Sequence, residues 1–243
     1  MKILSIDTSN YPLGVALIDE EKVIGEYITN FKRNHSVRAM PAVEQLLKEC
    51  ETEPKELTKI VVANGPGSYT GVRIGVTMAK TLAWSLNIPL VPVSSLAVLA
   101  SSGRHFNGYI SPIFDARRGQ VYTGLYKFEG DTIQQIEEDR NLLLADWVEK
   151  LKEYDGEILF VGNDVGIHEA VIKEVLGDQA RIAPFVSHNP RPSELAFIGA
   201  QMEEKTAHEV VPNYIRLAEA EVKWLEAQKK KDRSGYGNSI YDG

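Results

Sequence analysis

Two aspartates pose the chemical question. Asp7 ends the apolar run Ile3-Leu4-Ser5-Ile6 and is followed by Thr8 and Ser9; Asp115 ends a second run, Ile110-Ser111-Pro112-Ile113-Phe114. Carboxylates at the ends of two core strands, facing each other across a cleft, can hold a magnesium nucleotide, with small hydroxyls such as those of Thr8 and Ser9 on the phosphates. The same residues serve equally well as turn caps after buried strands. The loop Asn64-Gly-Pro-Gly-Ser-Tyr-Thr-Gly71 lacks the Gly-Lys-Ser/Thr ending of a P-loop and the glycine spacing of a dinucleotide fingerprint. Its glycines can bring backbone amides to a ligand at a helix N-terminus, or simply make a tight turn with Thr70 as the cap. The histidines His35, His105, His168, His188 and His208 are scattered, with no pair at helical ligand spacing, and read as surface or locally bonded rings. Ser9 and Ser68 lie outside any Gly-x-Ser-x-Gly elbow. Cys50 is the one cysteine, which excludes an internal disulfide and a multi-cysteine zinc site. It falls on the apolar stripe Met40, Val43, Leu47 and reads as a packed thiol.

The elements that would position these residues follow from periodicity. Residues 2–6, 15–18 and 23–28 read as an antiparallel meander joined by turns at Tyr11–Gly14 and Asp19–Lys22. Ser36 to Cys50 repeats at helical spacing, with Ser36 as an N-cap and Pro41 marking a kink or a late start near Met40. Lys59–Ala63 is a strand, Val72–Leu86 a helix closed by Asn87, Leu90–Val93 a strand, and Ser94 caps a short helix over Leu96–Ala100. After a polar, glycine-bearing stretch around Gly103–Gly108 the pattern restarts. Strands at 109–114, 119–128 and 132–136 precede a helix at 145–153, a strand at 158–161 and a helix at 166–176. Two β-β-β-α-β-α units predict an α/β, duplicated, two-lobed fold with a cleft between the lobes. The expected division is 1–104 for the first lobe and 105–206 for the second. A helix runs from Ser193 to about Lys205, and a last one from Leu217 to about Lys231, so that 207–232 returns to the first lobe and 233–243 is a flexible tail.

The formal net charge of −7 makes the chain a poor candidate for gripping nucleic acid by itself. Its cationic run Lys229-Lys230-Lys231-Asp232-Arg233 reads as a solubilising helix end. No uninterrupted apolar stretch reaches the length of a membrane span. The opening Met1–Asp7 reads as a core strand rather than a signal peptide, so a cytoplasmic protein is expected.

The run from Asn64 through Gly71-Val-Arg-Ile-Gly-Val-Thr-Met-Ala-Lys to Leu96 closely resembles the hallmark of the TsaB family, also called YeaZ. Ile3–Ser9, His35-Ser36, Asp115–Tyr122 and Pro212–Arg216 match that family as well, so the resemblance covers all but the tail. It implies an actin-like (ribonuclease H-like) fold. It also implies kinship with TsaD, the larger paralogue that transfers threonylcarbamoyl to tRNA and carries a metal-binding His-x-x-x-His after the equivalent of Val91-Pro92-Val93. Those ligand positions are Ser95 and Leu99 here. The resemblance therefore implies a non-catalytic scaffold or activator with no metal and no cofactor of its own. It would act with a TsaD-like transferase and a TsaE-like ATPase in modifying the adenosine beside the anticodon of tRNAs that read codons beginning with A. A homodimer is implied when the chain is alone, with tRNA met indirectly through the complex and no membrane. Asp7, Thr8, Ser9 and Asp115 would be a vestigial nucleotide site. The partner surface would lie on the helices at 36–50 and 72–86, with Arg38, Val72, Gly75, Val76, Ala79 and Ala83 as candidates. The stripe Gly75, Ala79, Ala83 fits either a partner helix or the chain's own sheet. The alternative is an actin-fold ATPase or small-molecule kinase using Asp7 and Asp115.

Overall fold

The computed structural model describes residues 1–31 and 34–215. The expected helix at 217–231, its cationic end and the tail lie outside the described residues. The first unit runs β1 (Lys2–Asp7), β2 (Pro12–Asp19), β3 (Lys22–Asn30), α1 (Ala39–Glu49), β4 (Lys59–Ala63), α2 (Tyr69–Leu86), β5 (Leu90–Val93) and α3 (Ser95–Ala100). The second runs β6 (Tyr109–Pro112), β7 (Phe114–Asp115), β8 (Gln120–Glu129), β9 (Thr132–Leu143), α4 (Leu144–Leu151), β10 (Ile158–Val161), α5 (Val165–Leu176), β11 (Ala180–Ile182) and α6 (Pro192–Ala200).

The first sheet has the order β3-β2-β1-β4-β5. Its first three strands are antiparallel, and β4 and β5 join in parallel. The second sheet repeats this order as β9, β8, the interrupted pair β6/β7, β10 and β11, again antiparallel on one side and parallel on the other. The duplication expected from the strand pattern is thus present in the pairing itself.

Strand alternation sends successive side chains to opposite faces. In β1, Leu4 and Ile6 join the cluster under α1 and α2, with Val43, Leu46, Leu47, Val72, Val76 and Ala79. Ile3 points the other way, to Val61, Val91, Leu195 and Ala196. The second sheet is covered in the same manner: Ile113, Leu125 and Phe160 meet Trp147 and Val148 of α4 and Ile172 of α5. Its other face meets Leu96, Leu99 and Ala100 of α3. The two inner helices are therefore exchanged. α3 follows the first sheet but packs on the second, while α6 follows the second sheet but packs on the first. Ser5 on β1 donates to the carbonyl of Pro192 at 2.6 Å. Glu26 accepts from the Ser193 amide at 2.9 Å and hydroxyl at 2.6 Å and pairs with Arg191. Arg104, just after α3, bonds Glu194 of α6.

Local differences from the sequence expectation have physical reasons. Ser68, not Thr70, caps α2, its hydroxyl accepting the Gly71 amide at 3.3 Å. Asn87 closes that helix in the left-handed region at φ 54°. Asn34, not Ser36, caps the short turn before α1, and Pro41 sits in the first turn of α1, where no intrahelical N–H is needed. Cys50 is a free, partly buried thiol against the first core, and burial pushes its pKa up.

Candidate functional site

The site is built where the two units face each other. β1 ends in Asp7, and the turn Thr8-Ser9 is buried at once, both residues at 0% exposure. The glycine loop after β4 is seated directly on this turn. The Ser68 amide donates to the Ser9 carbonyl at 2.7 Å, and Thr8 Oγ1 donates to the Gly71 carbonyl at 2.7 Å. Only glycine permits this approach: a Cβ at Gly67 would stand 2.2 Å from the Ser9 carbonyl oxygen, and one at Gly71 2.2 Å from that of Thr8. One side of the loop is thus seated on the chain's own backbone, while Gly67 to Gly71 also line the cleft described next.

Asp7 is itself 3% exposed. Its Oδ1 accepts from the Ser9 amide at 2.8 Å and hydroxyl at 2.7 Å, while Oδ2 has no hydrogen-bond partner among the described residues. Burial raises its pKa against the opposing pull of the Ser9 bonds and of His35. Asp7 does not reach the cleft. Asp115 does, in an open cleft of about 590 Å³ also lined by Asn10, His35, Tyr69, Arg117 and Asp164. The expected pair of facing aspartates is thus split, with Asp7 under the glycine loop and Asp115 at the cleft wall.

Asp115 has partners that the sequence did not single out. Its Oδ1 lies 3.1 Å from His168 Nε2 of α5, and its amide donates to Asp164 Oδ2 at 2.9 Å. Asp164 is raised by burial, helped by the nearby Asp115 charge and opposed by the amide bond. His35 bonds the Asn10 carbonyl through Nε2 at 2.8 Å, and its buried Nδ1 has no hydrogen-bond partner among the described residues. His35 lines the cleft, and His168 lies behind its wall, held by Asp115; both are locally bonded rings. The signal for Asp164 was topological: it follows β10 as the glycine loop follows β4, so duplication places it beside β7.

The positions of the missing metal ligands have structural work. Ser95 is fully buried, and its hydroxyl accepts the Gly65 amide at 3.1 Å. Leu99 is fully buried in the apolar cluster with Ile110 and Val161. Among the described residues, no three His, Cys, Asp or Glu side chains gather as a metal-holding group.

The proposed partner residues fall largely inside. Val72, Gly75, Val76, Ala79 and Ala83 are buried, all but Gly75 within the cluster on the first sheet, and Gly75 faces Thr8. Of the two uses open to the small-residue stripe, this chain's own sheet takes it. The exposed line of α2 is Arg73, Thr77, Thr81 and Trp84. Arg38 donates to Thr29 Oγ1 at 2.7 Å, with Nη1 buried and without a hydrogen-bond partner among the described residues.

Comparison with known proteins decides the family. The family described as "TsaD: tRNA N6-adenosine threonylcarbamoyltransferase" matches residues 22–224. The "tRNA threonylcarbamoyladenosine biosynthesis protein TsaB" of Bacillus subtilis is 62% identical over 229 residues, covering 94% of this chain and 100% of that protein. The chain belongs to the TsaB family. The TsaB of Escherichia coli is 33% identical over 165 residues, covering 67% of this chain and 71% of that one. The solved structure of YeaZ from Pseudomonas aeruginosa superposes with a TM-score of 0.75 at 26% identity, over 88% of this chain and 99% of that one. The TsaB-type fold is thus the duplicated, actin-like two-lobed one expected from the strand pattern and the family resemblance.

Proposed function

We propose that this chain is a non-catalytic scaffold or activator in tRNA threonylcarbamoyladenosine biosynthesis, working with a TsaD-like transferase and a TsaE-like ATPase. The pathway itself follows from membership of the TsaB family. The observation that carries the finer reading is the use made of Ser95 and Leu99. Where the catalytic paralogue has imidazole ligands, one side chain here holds the glycine loop and the other fills the core between the lobes. The seating of that loop on Thr8 and Ser9 supports the same reading, because their hydroxyls and the space above them are already used.

The partner meets α1 and α2 through their outer faces, where Met40 and Trp84 are exposed, together with Val37 of the turn before α1, and a second copy uses the same face when the chain is alone. The lobes divide at 104/105. The segment after 206 returns to the first lobe, in keeping with the Asn213 amide on the Asn64 carbonyl at 2.7 Å and Lys80 Nζ on the Val210 carbonyl at 2.7 Å. The complex works in the cytoplasm; among the described residues no helix is long and apolar enough to cross a membrane. The test is reconstituted transfer of labelled threonylcarbamoyl to tRNA. Transfer that needs this chain, with none by this chain alone, supports the reading; transfer that is indifferent to it refutes it.

The competing ATPase or kinase reading keeps one supporting observation, the cleft wall of Asp115 and Asp164, with His168 bonded to Asp115 from behind. Nucleotide hydrolysis abolished by Asp115→Asn would favour it.

A further inference from the structure

The mouth of the cleft carries an arrangement that the scaffold role does not use. Tyr69, the first residue of α2, lines the cleft and is 43% exposed. Tyr214 stacks on it, with ring centroids 5.0 Å apart and planes 29° apart, and is itself 40% exposed. Arg73, one turn along α2, lies over the Tyr69 ring at 5.2 Å and donates to its hydroxyl at 3.0 Å. Across the cleft the β7–β8 turn places Arg117 at the rim, where its carbonyl accepts the Gln120 amide at 3.0 Å and its side chain is exposed. Its backbone is in the left-handed region at φ 66°. Arg118 and Gly119 after it are left-handed too, at φ 55° and 73°, as the tight turn closed by the Gln120 amide on the Arg117 carbonyl requires. Deeper in the same cleft lie the carboxylates of Asp115 and Asp164.

We propose that this rim binds an unpaired ribonucleotide strand, with a base stacked on the Tyr69–Tyr214 platform and the Arg117 guanidinium on the adjoining phosphate. The polarity of the cleft sets the orientation. Phosphate is repelled by the inner carboxylates and attracted to the rim, while the exocyclic amine of a base can donate inward to Asp115 or Asp164. Stacking on aromatic rings needs an unstacked base, so a duplex does not fit. A weak, local contact of this kind is compatible with a chain of net charge −7, because one platform and one guanidinium supply it rather than a basic surface. The inference rests on the reading of this chain as a component of tRNA modification, and it adds a direct RNA contact to that role.

The experiment is fluorescence anisotropy of the full chain with a labelled RNA hairpin bearing an unpaired seven-base loop, against a blunt RNA duplex of equal length. The wild type is expected to bind the hairpin and not the duplex. Tyr69→Ala should weaken hairpin binding about 5- to 150-fold, while Tyr69→Phe keeps it. Arg117→Gln should reduce the slope of log affinity against log salt by about 0.7, the loss of one single-strand phosphate contact. Circular dichroism of each variant confirms the fold. No hairpin binding, equal binding of hairpin and duplex, or indifference to Tyr69→Ala overturns the proposal. So does competition by adenosine monophosphate as strong as that by the hairpin, because that marks a mononucleotide pocket. If the chain still supports threonylcarbamoyl transfer in any of those cases, the scaffold reading survives and only the RNA contact falls.

Discussion

Replacing Gly67 with alanine tests the feature on which the site depends, the seating of the glycine loop on the Asp7–Ser9 turn. The new Cβ would lie 2.2 Å from the Ser9 carbonyl oxygen. An ordinary carbon–oxygen contact begins near 3.3 Å, so the two backbones must part by about 1 Å. That movement stretches the 2.7 Å bond from the Ser68 amide to the same carbonyl well past its useful range. The lost buried bond costs about 1–3 kcal/mol and the forced overpacking about as much again, giving roughly 2–6 kcal/mol. A domain holds only about 5–15 kcal/mol in all, so the loss is large. In urea, with a slope of about 3 kcal/mol per molar, the midpoint should fall by about 1 M with the slope unchanged. Gly166→Ala is the control. It lies in the first turn of α5 with nothing within 4 Å of an added Cβ, and it should leave the midpoint unchanged or raise it slightly. A Gly67→Ala midpoint within about 0.2 M of the wild type would refute the close seating of the loop on that turn.

Asp7→Asn should preserve an acceptor for both Ser9 bonds and remove a buried charge, so stability at pH 7 should rise by on the order of 1 kcal/mol. Because burial holds Asp7 above the usual 3.8, its contribution to stability is fully present below that value and disappears as pH rises through the folded value. The variant should lose that slope, and denaturation between pH 3.5 and 7, on the order of this window, reads it directly. Glu26→Gln should act in the opposite sense. Burial pushes Glu26 up, but Arg191 and the Ser193 bonds outweigh it and hold the carboxyl below 4.5. Its contribution is therefore present above 4.5 and lost as pH falls through the folded value, and the variant should cost about 1–2 kcal/mol near neutrality and little in acid. Ser95→Ala should cost about 1–3 kcal/mol by orphaning the Gly65 amide, and Leu99→Ala about 2–5 kcal/mol by opening a cavity, both measured by chemical denaturation.

Much of this architecture is legible in the sequence because it is local. β10 is a continuous apolar run, and β4 is one after Lys59; α2 has a period of 3.6 and an asparagine stop, and Ser94 announces α3, accepting the Leu96 and Ala97 amides at 3.2 and 3.3 Å. Other parts are set by distant packing. β9 extends to Leu143, beyond the expected Ile136, because its polar residues Glu137, Glu138 and Arg140 sit on an edge strand whose backbone partners in β8 hold it without an apolar face. β11 has three residues and exists by pairing with β10. The exchange of α3 and α6 between sheets has no local signature, since both helices are apolar enough to suit either. The site divides in the same way. Asp7 and Asp115 are visible as strand ends, but whether each faces the cleft depends on which loop closes over it, and the glycine loop closes over only one. Asp164 and His168 become partners of Asp115 through the pairing of β10 with β6, which composition cannot reveal.

The most direct test of the central claim is threonylcarbamoyl transfer to tRNA, followed with a labelled donor adenylate in the presence of a TsaD-like transferase and a TsaE-like ATPase. Transfer should require this chain, and the chain alone should give none. It should persist with Asp115→Asn, a change that spares the loop and the outer faces of α1 and α2. Transfer that proceeds equally without the chain, or that is abolished by Asp115→Asn in a folded protein, would contradict the account.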